Sequence, residues 1–291
     1  MASATLAANI LPKLENYDLR VLQAVELGMI HHRQVPVEEI TRLSGLNPRE
    51  AEYRLGKLHR LELVFRYSEP FVGYLLNYAG YDLLALNAAV KAGVLEFLGP
   101  SIGVGKESDV YEGVDPRGGS VAVKFHRLGR TSFRDTKRKR EYVADRRHTS
   151  WLYQSRLAAQ TEHQFLTKMH EAGVRVPKPL YQNRHMLVME HVVHTPLLEA
   201  ELTNPQGVLR EILEELKKAY RAGVIHGDFS EYNVMVDEEG RPWIIDWPQA
   251  VETSHPNAGE LLRRDLHNIL GFFKRKYGLS LSLEEALEYL G

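Results

Sequence analysis

An α+β architecture in more than one part follows from three features of the sequence. Runs with strand character, Val121–Phe125 and His185–Val193 among them, occupy its middle. Stretches of helical period lie to either side of them. A length of 291 residues suits about two domains. A composition of 44% hydrophobic and 26% charged residues is that of an ordinary globular protein. The formal net charge of −1 gives the molecule no general attraction for polyanions, so nucleic-acid contact would need a local patch. There is no cysteine, which excludes disulfides, thiolate catalysis and cysteine-based zinc sites. The first ten residues carry no basic n-region, and no apolar run is long enough to span a bilayer, so a cytoplasmic protein is expected.

The elements follow in order. Tyr17–Met29 is an amphipathic helix, with Leu19, Val21, Leu22 and Val25 at helical spacing. Val37–Leu43 is a second, closed by Ser44-Gly45. Asn47 before Pro48 is an N-cap with proline at the first helical position, opening a third helix to Leu61. Leu63–Arg66 and Phe71–Leu76 form a hairpin around Ser68-Glu69-Pro70. A glycine-containing turn, Ser101–Tyr111, lies between apolar strand material at Val94–Leu98 and Val110-Tyr111 and the strand Val121–Phe125. Helical period runs from Trp151 to His170, and again over Gly259–Lys274. Val234–Val236 and Trp243–Ile245 make a short strand pair around Asp237–Gly240.

The chemistry is concentrated in His226-Gly227-Asp228-Phe229-Ser230-Glu231-Tyr232-Asn233 and the following Ile244-Ile245-Asp246. Either aspartate alone would be an ordinary surface charge. An Asp, an Asn five positions on and a second Asp ending the next strand is the set that ATP-dependent phosphoryl transfer requires. One carboxylate faces the acceptor hydroxyl or water, and the amide and second carboxylate hold Mg²⁺ against the phosphates. Gly103 and Gly105 free backbone N–H groups to approach phosphate oxygens, and Lys124, at the end of Val121-Ala122-Val123, suits a lysine reaching the phosphates.

Gly103–Ser108, Val121–Phe125, His226–Asn233 and Asp246-Trp247-Pro248-Gln249 together resemble the RIO family of atypical protein kinases, over about residues 94 to 275. Ser108 stands where ordinary protein kinases have the third glycine of the loop, Gly227 where many have the arginine of His-Arg-Asp, and Trp-Pro-Gln follows Asp246 instead of Phe-Gly. The N-terminal helices and hairpin match the winged helix of the second subfamily, archaeal type. The resemblance implies a two-lobed protein-kinase-like domain preceded by a winged helix: winged helix 1–80, connecting helix 81–93, N-lobe 94–192 and C-lobe 193–291. It implies ATP between the lobes, with Gly103, Gly105, Lys106, Ser108, Val110 and Lys124 at the nucleotide, Glu162 as carboxylate partner of Lys124 (Glu171 is the competitor), and Met189, Glu190 C=O and Val192 N–H beside adenine. Asp228 is the catalytic-loop carboxylate. Asn233 and Asp246 bind Mg²⁺, or Mn²⁺ in its place, and Asp246 is also a candidate transient phosphoryl acceptor. It further implies serine/threonine autophosphorylation or ATP hydrolysis, and a monomer working on the small ribosomal subunit precursor, its rRNA and its proteins.

Without an arginine at position 227 a phosphorylated activation loop has no receptor, and the segment after Asp246 is too short for a peptide platform. Poor phosphorylation of generic peptides such as casein is therefore expected. Asp265 is expected either to brace the catalytic loop through backbone N–H groups or to pair with Arg263 or Arg264 in solvent. Arg127–Arg147 is the most charged stretch, suited to a solvated loop or to RNA phosphates, and holds Thr131 and Ser132 as autophosphorylation candidates. The third helix mixes Arg49, Arg54, Lys57, His59 and Arg60 with Glu50, Glu52 and Glu62, which favours structured RNA or protein over sequence-specific DNA. Two other functions stay open: a small-molecule phosphotransferase of the aminoglycoside or choline kinase type, which shares His-Gly-Asp…Asn, and a non-catalytic winged-helix regulator with a nucleotide-sensing domain.

Overall fold

The computed structural model describes residues 2–128 and 141–291, with 141–150 as helical backbone alone. Thr131, Ser132 and the charged side chains from Arg130 to Arg147 lie outside the described residues. Two compact units are present: residues 1–157 with 181–188, and 158–180 with 189–291.

The first unit begins with α1 (Ser3–Ile10) and a 3-10 turn (Leu11–Lys13), then α2 (Asn16–Gly28), β1 (Val35–Pro36), α3 (Val37–Ser44), α4 (Pro48–Arg60), β2 (Val64–Tyr67) and β3 (Gly73–Leu76). Gly45, at φ 63°, closes α3. Asn47 Oδ1 accepts from Glu50 N at 2.9 Å and caps α4. The hairpin β2–β3 pairs from Val64↔Leu76 to Tyr67↔Gly73, and β1 adds to β3. This is the expected winged helix. Two cations of α4 are spent internally: Arg54, 7% exposed, bonds Glu50, Asp18 and Glu15, and Lys57 bonds Asp18.

Next comes α5 (Tyr78–Lys91), capped by Asn77 Oδ1 on Gly80 N and buried over most of its circumference. A Cβ on Gly80 would stand 2.2 Å from Leu63 O, so the helix start lies against the wing at a distance only glycine allows. The strands β4 (Phe97–Val104), β5 (Ser108–Val114), β6 (Ser120–His126), β7 (Pro179–Asn183) and β8 (Met186–Glu190) form a sheet in the order β4-β5-β6-β8-β7. One hydrophobic core runs from Ala4 and Leu22 through Leu55, Leu76 and Leu84 to Tyr111, Val123, Phe125 and Val188.

Inside this core sits a polar cluster. Arg127, expected in a solvated stretch, is only 2% exposed. Its guanidinium grips Asp82 of α5 with two bonds of 2.6 and 2.8 Å and Asp109 of β5 with one of 3.1 Å. His185 Nε2 bonds the same Asp82 carboxylate at 2.7 Å, and Tyr81 stacks on the imidazole. The three charges are fully desolvated, which is tolerable because each is bonded. Burial favours neutral Asp82, but the charge of Arg127 and the bond from His185 override it and hold the carboxyl down at about 2. Burial lowers His185 to about 4, and its buried Nδ1 has no partner to receive a second proton.

The second unit holds the C-terminal part of α6 (Glu141–Glu171), from Ala158 on, then β9 (Thr195–Pro196), α7 (Pro205–Arg221), β10 (Val224–Ile225), a 3-10 turn (Glu231–Asn233), β11 (Val234–Val236), β12 (Pro242–Ile244), β13 (Val251–Glu252), α8 (Ala258–Tyr277) and α9 (Leu283–Leu290). The small sheets are β12-β11-β9 and β10-β13. Leu197, Ile212, Phe229, Trp247, Leu266, Ile269 and Phe273 are buried in this unit. Buried Glu215 of α7 takes Arg175 N and Nε, both at 2.8 Å, while Arg175 O accepts from Ile244 N, which ties α7 to the β11–β12 hairpin.

Neutral His185 gives a signed pH dependence. Its folded value lies below its ordinary 6.5, so the unfolded chain binds more protons between pH 6.5 and about 4, and stability is lost as pH falls through that window. The expected loss is of order 2–3 kcal/mol. Asp82 adds a further loss from 3.8 towards about 2. Urea midpoints between pH 7 and 4 should show a slope that shrinks in His185→Gln; an unchanged slope would remove His185 as its source.

Candidate active site

In the first unit the phosphate-loop residues sit on the turn between β4 and β5, closed by Gly105 N donating to Ser108 O at 2.8 Å. Val104 and Lys106 at its tip are exposed, Ser108 half-buried. Cross-strand register then does the positioning. Gly103 faces Val110, Val110 faces Lys124, and Ser108 faces His126. Opposed residues of an antiparallel pair point to the same side. Ser108, Val110 and Lys124 therefore share one face of the sheet, while Tyr111 and Val123 point into the core. Lys124 is 4% exposed.

The second unit carries the rest. Gly227 has φ 79°, and a Cβ there would lie 2.4 Å from Gln249 O. No side chain fits, which is why the arginine of ordinary kinases has no counterpart. Around Asp228, α8 supplies a clamp. Asp265 Oδ2 accepts from Gly227 N at 2.7 Å and Oδ1 from Phe229 N at 2.9 Å. Arg264 donates to Gly227 O, and Asn268 Nδ2 to Phe229 O at 3.1 Å. Of the two expectations for Asp265 the brace holds: it is 2% exposed and bonds backbone. Burial raises its carboxyl above the ordinary value, against the pull of the two N–H bonds and His226. Asp228 itself is exposed between two fixed peptide units.

Asp246 has φ 70°, a left-handed conformation that costs a non-glycine residue about 1–3 kcal/mol and persists only when its surroundings impose it. The surroundings are visible. His226 Nε2–H donates to Ile245 O at 3.0 Å, Trp247 is fully buried with its Nε1 on Ile244 O at 3.3 Å, and Glu162 Oε1 accepts Trp247 N at 3.3 Å. Glu162, 1% exposed, thus grips the Asp246 turn; its competitor Glu171 is exposed at the helix end. Burial holds His226 below the ordinary histidine value, consistent with a neutral ring donating from Nε2.

Ile245 N also donates to Asn233 O at 2.9 Å, continuing the β11–β12 register, so Asn233 faces Ile245, the residue immediately before Asp246. Ser230 Oγ donates to Asn233 Oδ1 at 2.9 Å and fixes the amide. An amide oxygen and a carboxylate are hard donors that fit Mg²⁺, which completes its shell with phosphate and water. Among the described residues no group of three His, Cys, Asp or Glu side chains could hold a metal alone. Of the adenine connector, Met189 is half-buried, and Glu190 N is committed to Lys178 O at 2.8 Å, with Val192 just beyond the strand end. Sequence reasoning missed Arg264, Asn268 and the amide-fixing role of Ser230; the spacing of Arg264, Asp265 and Asn268 on one helix was the available signal.

Asp265→Ala would strand two buried N–H donors at about 1–3 kcal/mol each. A lowered melting temperature together with at least a tenfold fall in ATP turnover is expected, the latter because Asp228 loses its frame. Unchanged values of both would sink the brace.

Residues 11–92 match the Rio2 N-terminal domain and residues 109–286 the RIO domain. The RIO-type serine/threonine-protein kinase Rio2 of Methanocaldococcus jannaschii is 41% identical over 272 residues, 90% of this chain and 99% of that one. The serine/threonine-protein kinase RIO2 of Caenorhabditis elegans is 44% identical over 266 residues, 91% of this chain but half the length of the relative. The Rio2 kinase–ADP/Mg²⁺–phosphoaspartate complex of Chaetomium thermophilum superposes with a TM-score of 0.86 at 34% identity, covering 97% of this chain and 88% of that one. The chain belongs to the RIO family of atypical serine/threonine-protein kinases and carries the N-terminal domain of its Rio2 branch.

Proposed function

We propose that this chain turns over ATP through an aspartyl-phosphate on Asp246, and that this cycle is its working activity as a switch on the small ribosomal subunit precursor. The observation that carries the reading is the strained, three-sided grip on Asp246 beside Asn233. A carboxylate forced into a left-handed turn by buried Trp247, Glu162 and His226 is held for more than charge. The C. thermophilum relative, 34% identical, is described as a phosphoaspartate complex with ADP and Mg²⁺, which lends the same role to Asp246 here.

In the first step an Asp246 carboxylate oxygen forms a bond to the γ-phosphorus, the bond to the β-phosphate oxygen breaks, and ADP leaves. Then water attacks the same phosphorus, the acyl-phosphate bond breaks, and inorganic phosphate departs with Asp246 restored. Asp228 takes the proton from that water. Lys124, Ser108 and the N–H groups of the glycine turn bind phosphate oxygens, and Glu162 acts on the Asp246 turn. Mg²⁺, or Mn²⁺ in its place, when bound by Asn233 and Asp246, would neutralise charge on the phosphates. The same apparatus would pass phosphate to a serine or threonine of the chain itself.

For a partner we favour structured RNA or ribosomal protein. Two of the α4 cations that would read a DNA groove, Arg54 and Lys57, are drawn into pairs with Glu15, Asp18 and Glu50. No helix among the described residues is long and apolar enough to cross a membrane, which accords with a cytoplasmic site of action.

Incubation with γ-labelled ATP should label the protein in a hydroxylamine-labile form. Asp246→Ala should carry no such label, and Asp228→Ala should accumulate it because hydrolysis of the intermediate is slowed. Label stable to hydroxylamine and retained in Asp246→Ala would overturn the aspartyl-phosphate. Precursor particles of the small subunit should raise steady-state phosphate release at least several-fold in the wild type and not in Asp228→Ala; an unaltered rate would remove the ribosomal role.

A further inference from the structure

Arg127 is absorbed by none of the roles above, yet its buried guanidinium bonds three different side chains, Asp82, Asp109 and His185. Its contacts fall on both sides of Ser108. Its backbone N–H donates to Glu107 O at 2.6 Å, and its Nε donates to Asp109 Oδ2 at 3.1 Å. The residue expected to meet phosphate is thus bracketed by two bonds to one arginine. The other side of the guanidinium belongs to α5, through the two bonds to Asp82, with His185 locking the same carboxylate. Tyr78 of α5 reaches the next residue, its hydroxyl donating to Leu128 O at 3.4 Å.

The placement of α5 is in turn set by the winged helix. Gly80 lies against Leu63 O with no room for a Cβ, Asn77 Nδ2 donates to Glu62 O, and α1 packs along α5. An apolar residue at position 127 would fill space as well as arginine, since a buried ion pair adds little net stability over a matched hydrophobic contact. What an apolar residue cannot supply is direction, namely bonds of fixed geometry from Asp82 of α5 through the guanidinium to Asp109, the residue after Ser108.

We propose that Arg127, held by Asp82, is a positioning residue for the phosphate loop, so that the N-terminal helices and wing set the affinity of the loop for nucleotide phosphates. The inference rests on the reading of the Gly103–Ser108 turn as a phosphate cradle. It gives the winged helix an effect on the nucleotide that needs no contact between them: whatever shifts α5 pulls, through the guanidinium, on Asp109 beside Ser108.

The test uses the full chain and fluorescent ATP, with adenosine as competitor and thermal unfolding in parallel. Asp82→Asn and Arg127→Lys should weaken ATP binding about tenfold and leave the affinity for adenosine within about twofold, because only phosphate contacts are lost. Ser282→Ala, which removes the capping box of α9 in the second unit, should lower the melting temperature and leave ATP affinity unchanged. Should Asp82→Asn fail to fold, Arg127→Lys and Asp109→Asn carry the same expectation. ATP affinity unaltered in folded variants, or ATP and adenosine weakened in parallel, would reduce Arg127 to a structural residue while leaving the phosphate reading intact. A wild type that binds adenosine but gains nothing from the phosphates would overturn both.

Discussion

The catalytic half of this molecule depends on the closeness of two loops. His226–Asn233 and Asp246–Ala250 approach until Gly227 has no space for a Cβ against Gln249 O. At that separation the loops can exchange backbone bonds, and they do, through His226 to Ile245 O and Ile245 N to Asn233 O. Both loops contain a left-handed residue, Gly227 and Asp246. Glycine takes that conformation freely; aspartate must be forced. The force comes from burial of Trp247 and from Glu162, so the hydrophobic core of the second unit is what keeps the Asp246 carboxylate aimed.

A second constraint is electrostatic and belongs to the first unit. A lone buried guanidinium would be intolerable, and removal of one partner from a buried ion pair costs about 3–5 kcal/mol. Arg127 is matched by two carboxylates and a neutral histidine, so the cluster is stable only as a set. Such a set has one geometry. The winged helix, α5 and the sheet share a core that could slide by small amounts if it were aliphatic throughout; bonds with fixed directions remove that freedom.

Much of this could be read from the chain. Asn47-Pro48, Ser44-Gly45 and Ser68-Glu69-Pro70 mark ends and turns by local chemistry, and α3, α4 and the wing fall within a residue or two of them. The strand pair β11–β12, with Asn233 before it and Asp246 after it, was likewise marked locally. α6 starts at Glu141, ten residues before the helical period read from the sequence, because Glu141–Ser150 offers few apolar residues to mark a period. α7 has a clear apolar stripe, Val208, Ile212, Leu213 and Leu216, but no chemistry to draw attention to it. Arg127 was illegible for a deeper reason. In sequence it is the first of a run of cations, and what separates it from them is Asp82, 45 residues earlier, and His185, 58 later. Asp265 sat between these cases: a helix carboxylate near two arginines fits a brace or a surface pair equally, and only burial decides.

The loss of arginine at position 227 has a consequence for control. In ordinary kinases that arginine lets a phosphorylated segment order the site. Here it is more than absent. The peptide at 227 is left-handed and stands 2.4 Å, at the Cβ position, from a neighbouring carbonyl oxygen, so restoring a side chain would push apart the loops that hold Asn233 and Asp246. The site is therefore built in its ordered form by Asp265, Arg264 and Asn268, without waiting for a modification. Under the function proposed above, control would fall on the nucleotide itself, with phosphate arriving and leaving, and not on a modified activation segment.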